Sequence, residues 1–320
     1  MTGGEADRAE SVDLLASYWT LAGPVELHTG REWSLFDVAD RVTAAANAGF
    51  RGLGLWHDDL LHILQERGLA ELRTILDDAG MVHLELEFLS DWFLDPGTQE
   101  RRHSDQLRRT LLEAAGVLGA RHVKVGNFAG RQVPLGLLTE RFAELCAEAA
   151  EHGTCVAYEF MYRDTTAGSL EAARSVVLGA GAANGGLALD LWHVVDLGVS
   201  TAEIRALPTG CVVAAEVSDG PLPRVPGARR SLRDRRLPGD GDFDIAGFVA
   251  AVRATGFRGP WGVEVLSAVI GDLTLPDDSA ARASLELAEL ARRAYRSTIE
   301  HVARDRYERS GREAGDDKEA

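Results

Sequence analysis

The chain has 320 residues, of which 45% are hydrophobic and 26% charged, as is typical of one large globular domain. Its formal net charge of −16 would repel a phosphate backbone, which argues against nucleic acid as a partner. No apolar run reaches the roughly 18 residues of a membrane-spanning helix, and the opening MTGGEADRAE is acidic rather than a basic leader. We therefore expect a cytoplasmic protein that does not bind membranes.

Short apolar segments alternate with longer segments of helical periodicity along most of the chain. The first apolar segment is 12–19, and in the following segment, 34–48, Leu35, Val38 and Val42 recur at helical spacing, with Ser34 placed to cap the helix. Further helices are predicted at 64–79, 101–118, 135–151, 169–178, 201–206, 245–254 and 279–299. A short apolar segment precedes each of them, so the chain contains about eight strand–helix units.

Near-continuous apolar strands separated by helices indicate a parallel sheet that is buried on both faces. About eight units favour a (β/α)8 barrel over a doubly wound sheet, which would carry a glycine-rich phosphate turn after its first strand. We predict an α/β fold consisting of one (β/α)8 TIM barrel over residues 11–303, with a flexible N-terminus at 1–10 and a charged, disordered tail at 304–320. The long arginine-rich stretch 219–242 is predicted to be a functional loop.

Four predicted strands in the second half of the chain end in a carboxylate. Glu159 ends CVAYE, Asp190 ends GLALD, Glu216 ends CVVAAE and Glu264 ends PWGVE. Because the carboxyl ends of barrel strands form one mouth, we expect these side chains to meet there. Gathered carboxylates raise one another's pKa unless a cation lies among them, and their oxygen atoms suit Mn²⁺, Mg²⁺ or Co²⁺. The pattern therefore predicts a divalent metal site.

The segments around these residues resemble the xylose isomerase-like sugar phosphate isomerase/epimerase family, which includes ketose 3-epimerases and inosose dehydratases. The resemblance covers roughly residues 12–300 and is carried by YEFMYR, LDLWHVVD, AEVSDGP and RRLPGDGDFD with the later GVE. It implies that Glu159, Asp190, Glu216 and Glu264 hold the metal, with Mn²⁺ favoured over Mg²⁺ and Co²⁺. The family usually has His or Gln at the third of these positions, so Glu216 is a departure.

Several other side chains are predicted to contact the substrate at the barrel mouth. His193 follows Asp190 by three positions and is expected to face the same mouth, while Trp56 and His57 end the second strand and suit a sugar ring. In the third strand, Glu85 and Glu87 are expected to point to opposite faces, with Glu87 at the mouth.

Two basic residues complete the predicted substrate shell. Lys124 in HVKVGN is predicted either to contact a substrate oxygen or to pair with Glu87. Among the arginines of the 219–242 loop, the resemblance favours Arg236, which directly precedes LPGDG.

These residues suit an enzyme that removes a proton from the carbon next to a carbonyl group, with a metal ion holding the charge that develops. The resemblance assigns Glu159 and Glu264 as the pair that removes and returns the proton. We therefore predict a metal-dependent isomerase or epimerase that acts on a small sugar or cyclitol, in a homo-oligomer or with a small partner subunit.

Other functions share parts of this pattern. One is a lyase of the C-glycoside deglycosidase type, in which deprotonation of a 3-oxo-glycoside leads to elimination, with Trp56 and Trp92 suited to an aromatic aglycone. Another is a barrel that binds metal or sugar without turning it over. A metal-dependent endonuclease is disfavoured by the charge of −16.

Overall fold

The structure is a computed structural model that describes residues 12–25, 27, 29–223, 231–270 and 280–303. In these residues eight parallel strands close into a barrel in chain order, with the last strand paired to the first. The predicted (β/α)8 TIM barrel is confirmed. The strands are β1 (Leu14–Ala16), β2 (Gly52–Trp56), β3 (His83–Leu89), β4 (His122–Val125), β5 (Cys155–Glu159), β6 (Gly185–Asp190), β7 (Val212–Val217) and β8 (Trp261–Val263).

Helices follow the strands and form the outer layer. They are α1 (Tyr18–Leu21), α2 (Val38–Ala48), α3 (His57–Glu66), α4 (Leu69–Asp78), α5 (Gln99–Leu118), α6 (Leu135–Glu151), α7 (Leu170–Ala180), α8 (Leu191–Asp196), α9 (Thr201–Arg205), α10 (Ile245–Ala254), α11 (Ser267–Ile270) and α12 (Ala280–Ala303). In the part of the chain that the structure describes, none of them combines the length and the apolar character that crossing a membrane requires. The predicted N-terminus at 1–10, the tail at 304–320 and residues 224–230 of the long loop lie outside the described residues.

Some predicted boundaries are wrong for local reasons. The segment 64–79 belongs to two helices, α3 and α4, separated by an extended Arg67 and Gly68. The predicted first strand is shortened to β1, because the chain turns into α1 directly after Ser17. Ser34 does not cap α2, which begins later, where Oδ1 of Asp37 accepts the N–H of Ala39 at 2.8 Å.

The two faces of the barrel wall differ in chemistry. In β6, Leu187 and Leu189 belong to the apolar layer between strands and helices, whereas Ala188 packs with Ala157 and Ala214 in a separate small cluster. A strand directs alternate side chains to opposite faces, so these alanines face the barrel interior. Barrel interiors are usually filled by bulky branched residues, and the small residues here leave room for long polar side chains.

Long polar side chains do occupy the interior. Glu85 and Glu87 on β3 and His122 and Lys124 on β4 are all at most 3% exposed. His122 Nε2 lies 3.1 Å from Oε2 of Glu85, and Lys124 Nζ lies 2.8 Å from Oε2 of Glu87. The prediction that Glu85 and Glu87 face opposite sides is therefore wrong, because residues two apart in a strand share a face.

Candidate active site

A cavity of about 510 Å³ lies over the carboxyl ends of the strands. Its deep part includes Glu159, His193, Arg235 and Glu264. Its lining includes six aromatic residues, which are Trp19, Trp56, Phe88, Phe128, Tyr162 and Trp192, among many polar and charged side chains. The cavity therefore combines aromatic faces that suit a ring with polar groups that can fix its orientation.

The four predicted carboxylates meet next to this cavity, which is lined by two of them, Glu159 and Glu264. Glu159 and Asp190 are the last residues of β5 and β6, Glu216 lies in β7 beside Asp190 in register, and Glu264 follows β8. One oxygen atom from each lies within 4.8 Å of the others, and all four residues are buried. Parallel strands of a barrel end at the same edge, which explains why residues so far apart in sequence come together.

Two cationic side chains contact this group of carboxylates. Arg235 Nη2 lies 2.6 Å from Oδ2 of Asp190, and its Nη1 lies 3.3 Å from Oε2 of Glu264. Lys124 Nζ lies 2.8 Å from Oε1 of Glu216. Arg235 and Lys124 are only 2% and 1% exposed, so water screens these pairs little.

The donor set fits a divalent metal ion. All four groups offer carboxylate oxygen atoms, which hard cations prefer. Oε2 of Glu216 and Oε2 of Glu264 are buried without a hydrogen-bond partner. When ionised, the four carboxylates carry four negative charges, and Lys124, one of the two cations in contact with them, is shared with Glu87. A divalent cation would offset part of this excess negative charge.

His193 lies beside two of the carboxylates. Asp190 caps α8 by accepting the N–H of Trp192 at 3.0 Å, and the helical turn directs His193 back toward the cavity. Its Nε2 is 3.6 Å from Oδ2 of Asp190 and 3.7 Å from Oε1 of Glu159. Burial, helped by Arg235, lowers the pKa of His193 to about 3, so the imidazole is neutral at neutral pH.

Trp56 and His57 both line the cavity. The Trp56 ring lies against Trp19, with centroids 4.9 Å apart, and stacks at 6.3 Å on Phe88. His57 Nδ1 accepts the N–H of Phe88 at 3.3 Å. Burial lowers the pKa of His57 to about 4, so this wall offers a neutral imidazole beside aromatic faces.

Glu87 lines the cavity, whereas Lys124 pairs with carboxylates. Of the two roles predicted for Lys124, its geometry corresponds to pairing with Glu87, extended to Glu216. Trp92, suggested for binding an aglycone, is 1% exposed and packs in the core against Phe142 and Tyr158.

The structure brings Arg235 to the site instead of Arg236. The backbone N–H and C=O of Arg236 pair with Asp219, and its exposed side chain donates to the carbonyl of Asp240 at 3.1 Å. Neighbouring residues of an extended segment point in opposite directions, so this pairing directs Arg235 inward. The sequence shows two adjacent arginines, and only the pairing with Asp219 distinguishes them.

Asp219 holds the loop that carries Arg235. It is 1% exposed, and its carboxylate accepts four backbone N–H groups at 2.8–3.0 Å, those of Gly220, Gly239, Gly241 and Phe243. The carboxylate of Asp219 therefore holds the LPGDG turn and the residue that follows Asp242, while its backbone pairing with Arg236 holds the segment before the turn.

Asp219→Ala is expected to lower the free energy of unfolding by at least about 2 kcal/mol, because each hydrogen bond to a charged group contributes about 1.5–3 kcal/mol. Urea denaturation measures the change. Asp240→Ala, at an exposed position of the same turn, is the control and is expected to stay near the unchanged protein. Equal losses in the two variants would contradict this role for Asp219.

Binding of a divalent cation is expected to release protons. Burial raises the pKa of Glu159 and of Glu264, so these carboxyls keep protons at a pH where exposed carboxyls have lost them. The cation must displace those protons, and its affinity is expected to rise as the pH rises through the raised pKa values. Calorimetric titration with MnCl₂ in two buffers of different ionisation enthalpy measures the release, and identical heats would contradict it.

Two curated relatives from pseudomonads are similar to most of this chain. A 3-dehydroshikimate dehydratase of Pseudomonas aeruginosa is 30% identical over 274 residues, which are 83% of this chain and 42% of that protein. A 3-dehydroshikimate dehydratase of Pseudomonas putida is 24% identical over 233 residues, 71% of this chain and 36% of that protein. The chain thus spans less than half the length of these relatives.

Several solved structures share the barrel fold of this chain. A xylose isomerase-like TIM barrel/4-hydroxyphenylpyruvate dioxygenase fusion protein has a TM-score of 0.75 at 20% identity, covering 94% of this chain and 44% of that one. The IOLI protein with a bound zinc atom has a TM-score of 0.73 at 17% identity, covering 91% and 98%. L-ribulose 3-epimerase has a TM-score of 0.68 at 14% identity, covering 94% and 97%. At these identities the likeness concerns the fold alone.

The family resemblance predicted from the strand-end motifs is confirmed by a family model. The model, described as xylose isomerase-like TIM barrel, matches residues 42–291, a range that includes all four carboxylates of the site. This chain belongs to the xylose isomerase-like TIM barrel family.

Proposed function

We propose that this chain is a metal-dependent dehydratase of a small cyclic 3-oxo compound of the 3-dehydroshikimate type. It would remove the proton on the carbon next to the ketone and expel the hydroxyl group on the adjacent carbon as water. The observation that carries the proposal is the convergence of four strand-end carboxylates within 4.8 Å next to a cavity lined in part by aromatic residues.

The comparisons support the substrate class and the outcome of the reaction. Both curated relatives carry the name 3-dehydroshikimate dehydratase, and the matched region of the first is 83% of this chain. A six-membered ring suits the aromatic residues of the cavity lining, such as Trp56 and Phe88. These features favour elimination over the isomerisation that the sequence pattern placed first.

Glu159, Asp190, Glu216 and Glu264 would hold the metal ion, and Mn²⁺, Mg²⁺ and Co²⁺ suit their oxygen atoms. When bound, such an ion acts as a Lewis acid that polarises the ketone and stabilises the enolate charge. Arg235 contacts Asp190 and Glu264, so it holds two of these four side chains in place.

Glu159 is the better placed of the two candidate bases. Its Oε1 faces the neutral imidazole of His193 at 3.7 Å, whereas Oε2 of Glu264 faces the Arg235 guanidinium at 3.3 Å. Burial raises the pKa of both Glu159 and Glu264, so it is the neighbouring side chains that distinguish the two carboxylates. We therefore assign proton removal to Glu159.

Glu159 both removes the proton from carbon and returns it to the departing hydroxyl group. Glu159 takes the proton from carbon, and the electron pair of that C–H bond moves toward the ketone oxygen to give an enolate. When the ketone forms again, this pair makes the new C=C bond and the adjacent C–O bond breaks; the resulting dienone becomes aromatic when a second ring proton moves to the ketone oxygen. As the C–O bond breaks, the carboxylic acid gives its proton to the departing hydroxyl group, so that water leaves and Glu159 returns to the carboxylate. His193, between Glu159 and Asp190, would hydrogen-bond to a substrate oxygen during this exchange.

Epimerisation is the second candidate function, and a specific observation favours it. Glu159 and Glu264 both line the cavity, so a proton removed by one carboxylate can be returned by the other. This outcome shares the first step with dehydration and differs in the fate of the carbanion.

Proton NMR in D₂O of the Mn²⁺-loaded protein with 3-dehydroshikimate, ketoses and inososes, recorded after the metal is removed, tests the proposal. Loss of water from 3-dehydroshikimate with appearance of aromatic proton signals is the expected result. Deuterium uptake with formation of an epimer would replace dehydration by epimerisation. Metal binding without turnover of any compound would overturn both and support a binding barrel. Glu171→Gln, at an exposed position of α7, is the control variant.

A further inference from the structure

Lys124 lies inside the barrel, beneath the proposed metal site. Its side chain is 1% exposed, and its Nζ is 2.8 Å from both Oε2 of Glu87 and Oε1 of Glu216. Ser17 Oγ donates to the same Oε1 of Glu216 at 2.8 Å. One oxygen of Glu216 is therefore held by two donors, and Oε2 is buried without a hydrogen-bond partner.

The strands around Glu216 leave space for this arrangement. Gly262 on β8 pairs in register with Glu216, and a Cβ atom there would come within 2.7 Å of Cγ of Glu216 and 3.3 Å of Oγ of Ser17. Ala157, the partner of Lys124 in register on β5, is likewise too small to obstruct the interior. The small residues thus form the space in which Lys124, Ser17 and Glu216 meet.

The charge of Glu216 also needs a partner. Glu216 is 1% exposed, and burying a carboxylate costs free energy unless it is paired and hydrogen-bonded. Arg235 contacts Asp190 and Glu264, so Lys124 is the cation in direct contact with Glu216. A neutral side chain at position 216 would need no such cation.

We infer that Lys124, with Ser17, is a positioning residue that holds Oε1 of Glu216 and thereby orients this carboxylate as a metal ligand. This inference rests on the metal site of the proposed function and adds a residue that does not itself bind the metal. It predicts that the effects of changing Lys124 and Glu216 on Mn²⁺ affinity are coupled. Replacing Lys124 should weaken Mn²⁺ binding less when position 216 already carries a neutral side chain.

Calorimetric titration of the full chain with MnCl₂ measures this coupling without reference to turnover. Lys124→Met is expected to weaken Mn²⁺ binding by about 10–100-fold, the usual effect of removing a group that supports a metal ligand. The double variant Lys124→Met/Glu216→Gln is expected to bind at least about fivefold more tightly than Lys124→Met, because Gln offers a carbonyl oxygen and needs no counter-charge.

Two further variants separate positioning from a general loss of stability. Ser17→Ala keeps Lys124 and removes one donor to Glu216, and it is expected to weaken binding by about tenfold, which provides a readout if Lys124→Met does not fold. His83→Gln breaks a different barrel pair, His83 Nε2 with Asp13 Oδ2 at 2.8 Å, and is expected to lower the melting temperature while Mn²⁺ affinity is unchanged.

The outcomes distinguish this inference from the proposed function. Wild-type affinity in both Lys124→Met and Ser17→Ala, or a double variant that binds no better than Lys124→Met, would overturn the role of Lys124 and leave the metal site intact. An unchanged protein that binds no divalent cation would overturn the metal site and, with it, this inference.

Discussion

Glu159→Gln is expected to lower kcat for the proposed dehydration by about 10²–10⁴-fold, the usual contribution of a general base. Glutamine preserves the size of the side chain and one oxygen atom but accepts no proton from carbon. Glu159 ends β5 and lines the cavity beside His193, so the loss follows from chemistry at the reacting carbon rather than from a distant rearrangement.

The measurement separates loss of the base from loss of the metal. Steady-state rates are determined at Mn²⁺ concentrations raised until they no longer change, and calorimetry gives the metal affinity of the same variant. Glu171→Gln on the outer helix α7 is expected to keep the unchanged rate. A Glu159→Gln variant that recovers full kcat at saturating Mn²⁺ would show that Glu159 is a ligand only and would move the base to Glu264.

Arg235→Met is expected to lower the free energy of unfolding by about 3–5 kcal/mol, because removing one partner leaves buried charges uncompensated. Arg235 is 2% exposed, and its guanidinium is 2.6 Å from Asp190 and 3.3 Å from Glu264. The Cζ atom of the Arg235 guanidinium also lies 5.5 Å from the centre of the Trp192 ring. Methionine fills part of the volume but supplies neither the charge nor the donors.

Arg236→Met is a matched control for this prediction, since the two residues are adjacent. Arg236 is exposed, and the contacts that hold its backbone to Asp219 do not involve the side chain, so a change within about 0.5 kcal/mol is expected. Urea denaturation of both variants is compared with and without Mn²⁺. The deficit of Arg235→Met should shrink with Mn²⁺, because the cation compensates Asp190 and Glu264. Equal stability of the two variants would refute the assignment of Arg235.

A lysine variant tests the shape of the group as well as its charge. Arg235 uses two nitrogen atoms to contact two different carboxylates, and a single ammonium group does not reproduce that fork. Arg235→Lys is therefore expected to recover part of the lost stability but less of the turnover. Complete recovery of both would mean that charge alone matters at this position.

Much of the site could be predicted from the sequence, because each of its carboxylates can be recognised from the residues of its own strand. An apolar strand that ends in a carboxylate is visible in GLALD or CVAYE, and a parallel barrel brings such ends together whatever the loops do. The alternation of side chains along a strand, with its period of two residues, likewise puts Glu85 and Glu87 on one face.

Other features depended on contacts between residues distant in sequence. The choice of Arg235 over Arg236 comes from backbone pairing with Asp219 across the long loop, and the partners of Lys124 come from β3 and β7. Trp19 lines the cavity and Trp92 packs in the core, although both are aromatic residues near strand ends.

The pattern of apolar and polar residues along the chain was sufficient to predict the barrel and its four carboxylates. The reason is that side chains alternate along every strand and that parallel strands of a barrel end at the same edge. The direction of each loop side chain and the pairing of each buried charge were decided by packing between segments, because in an irregular segment only its neighbours in space orient the backbone.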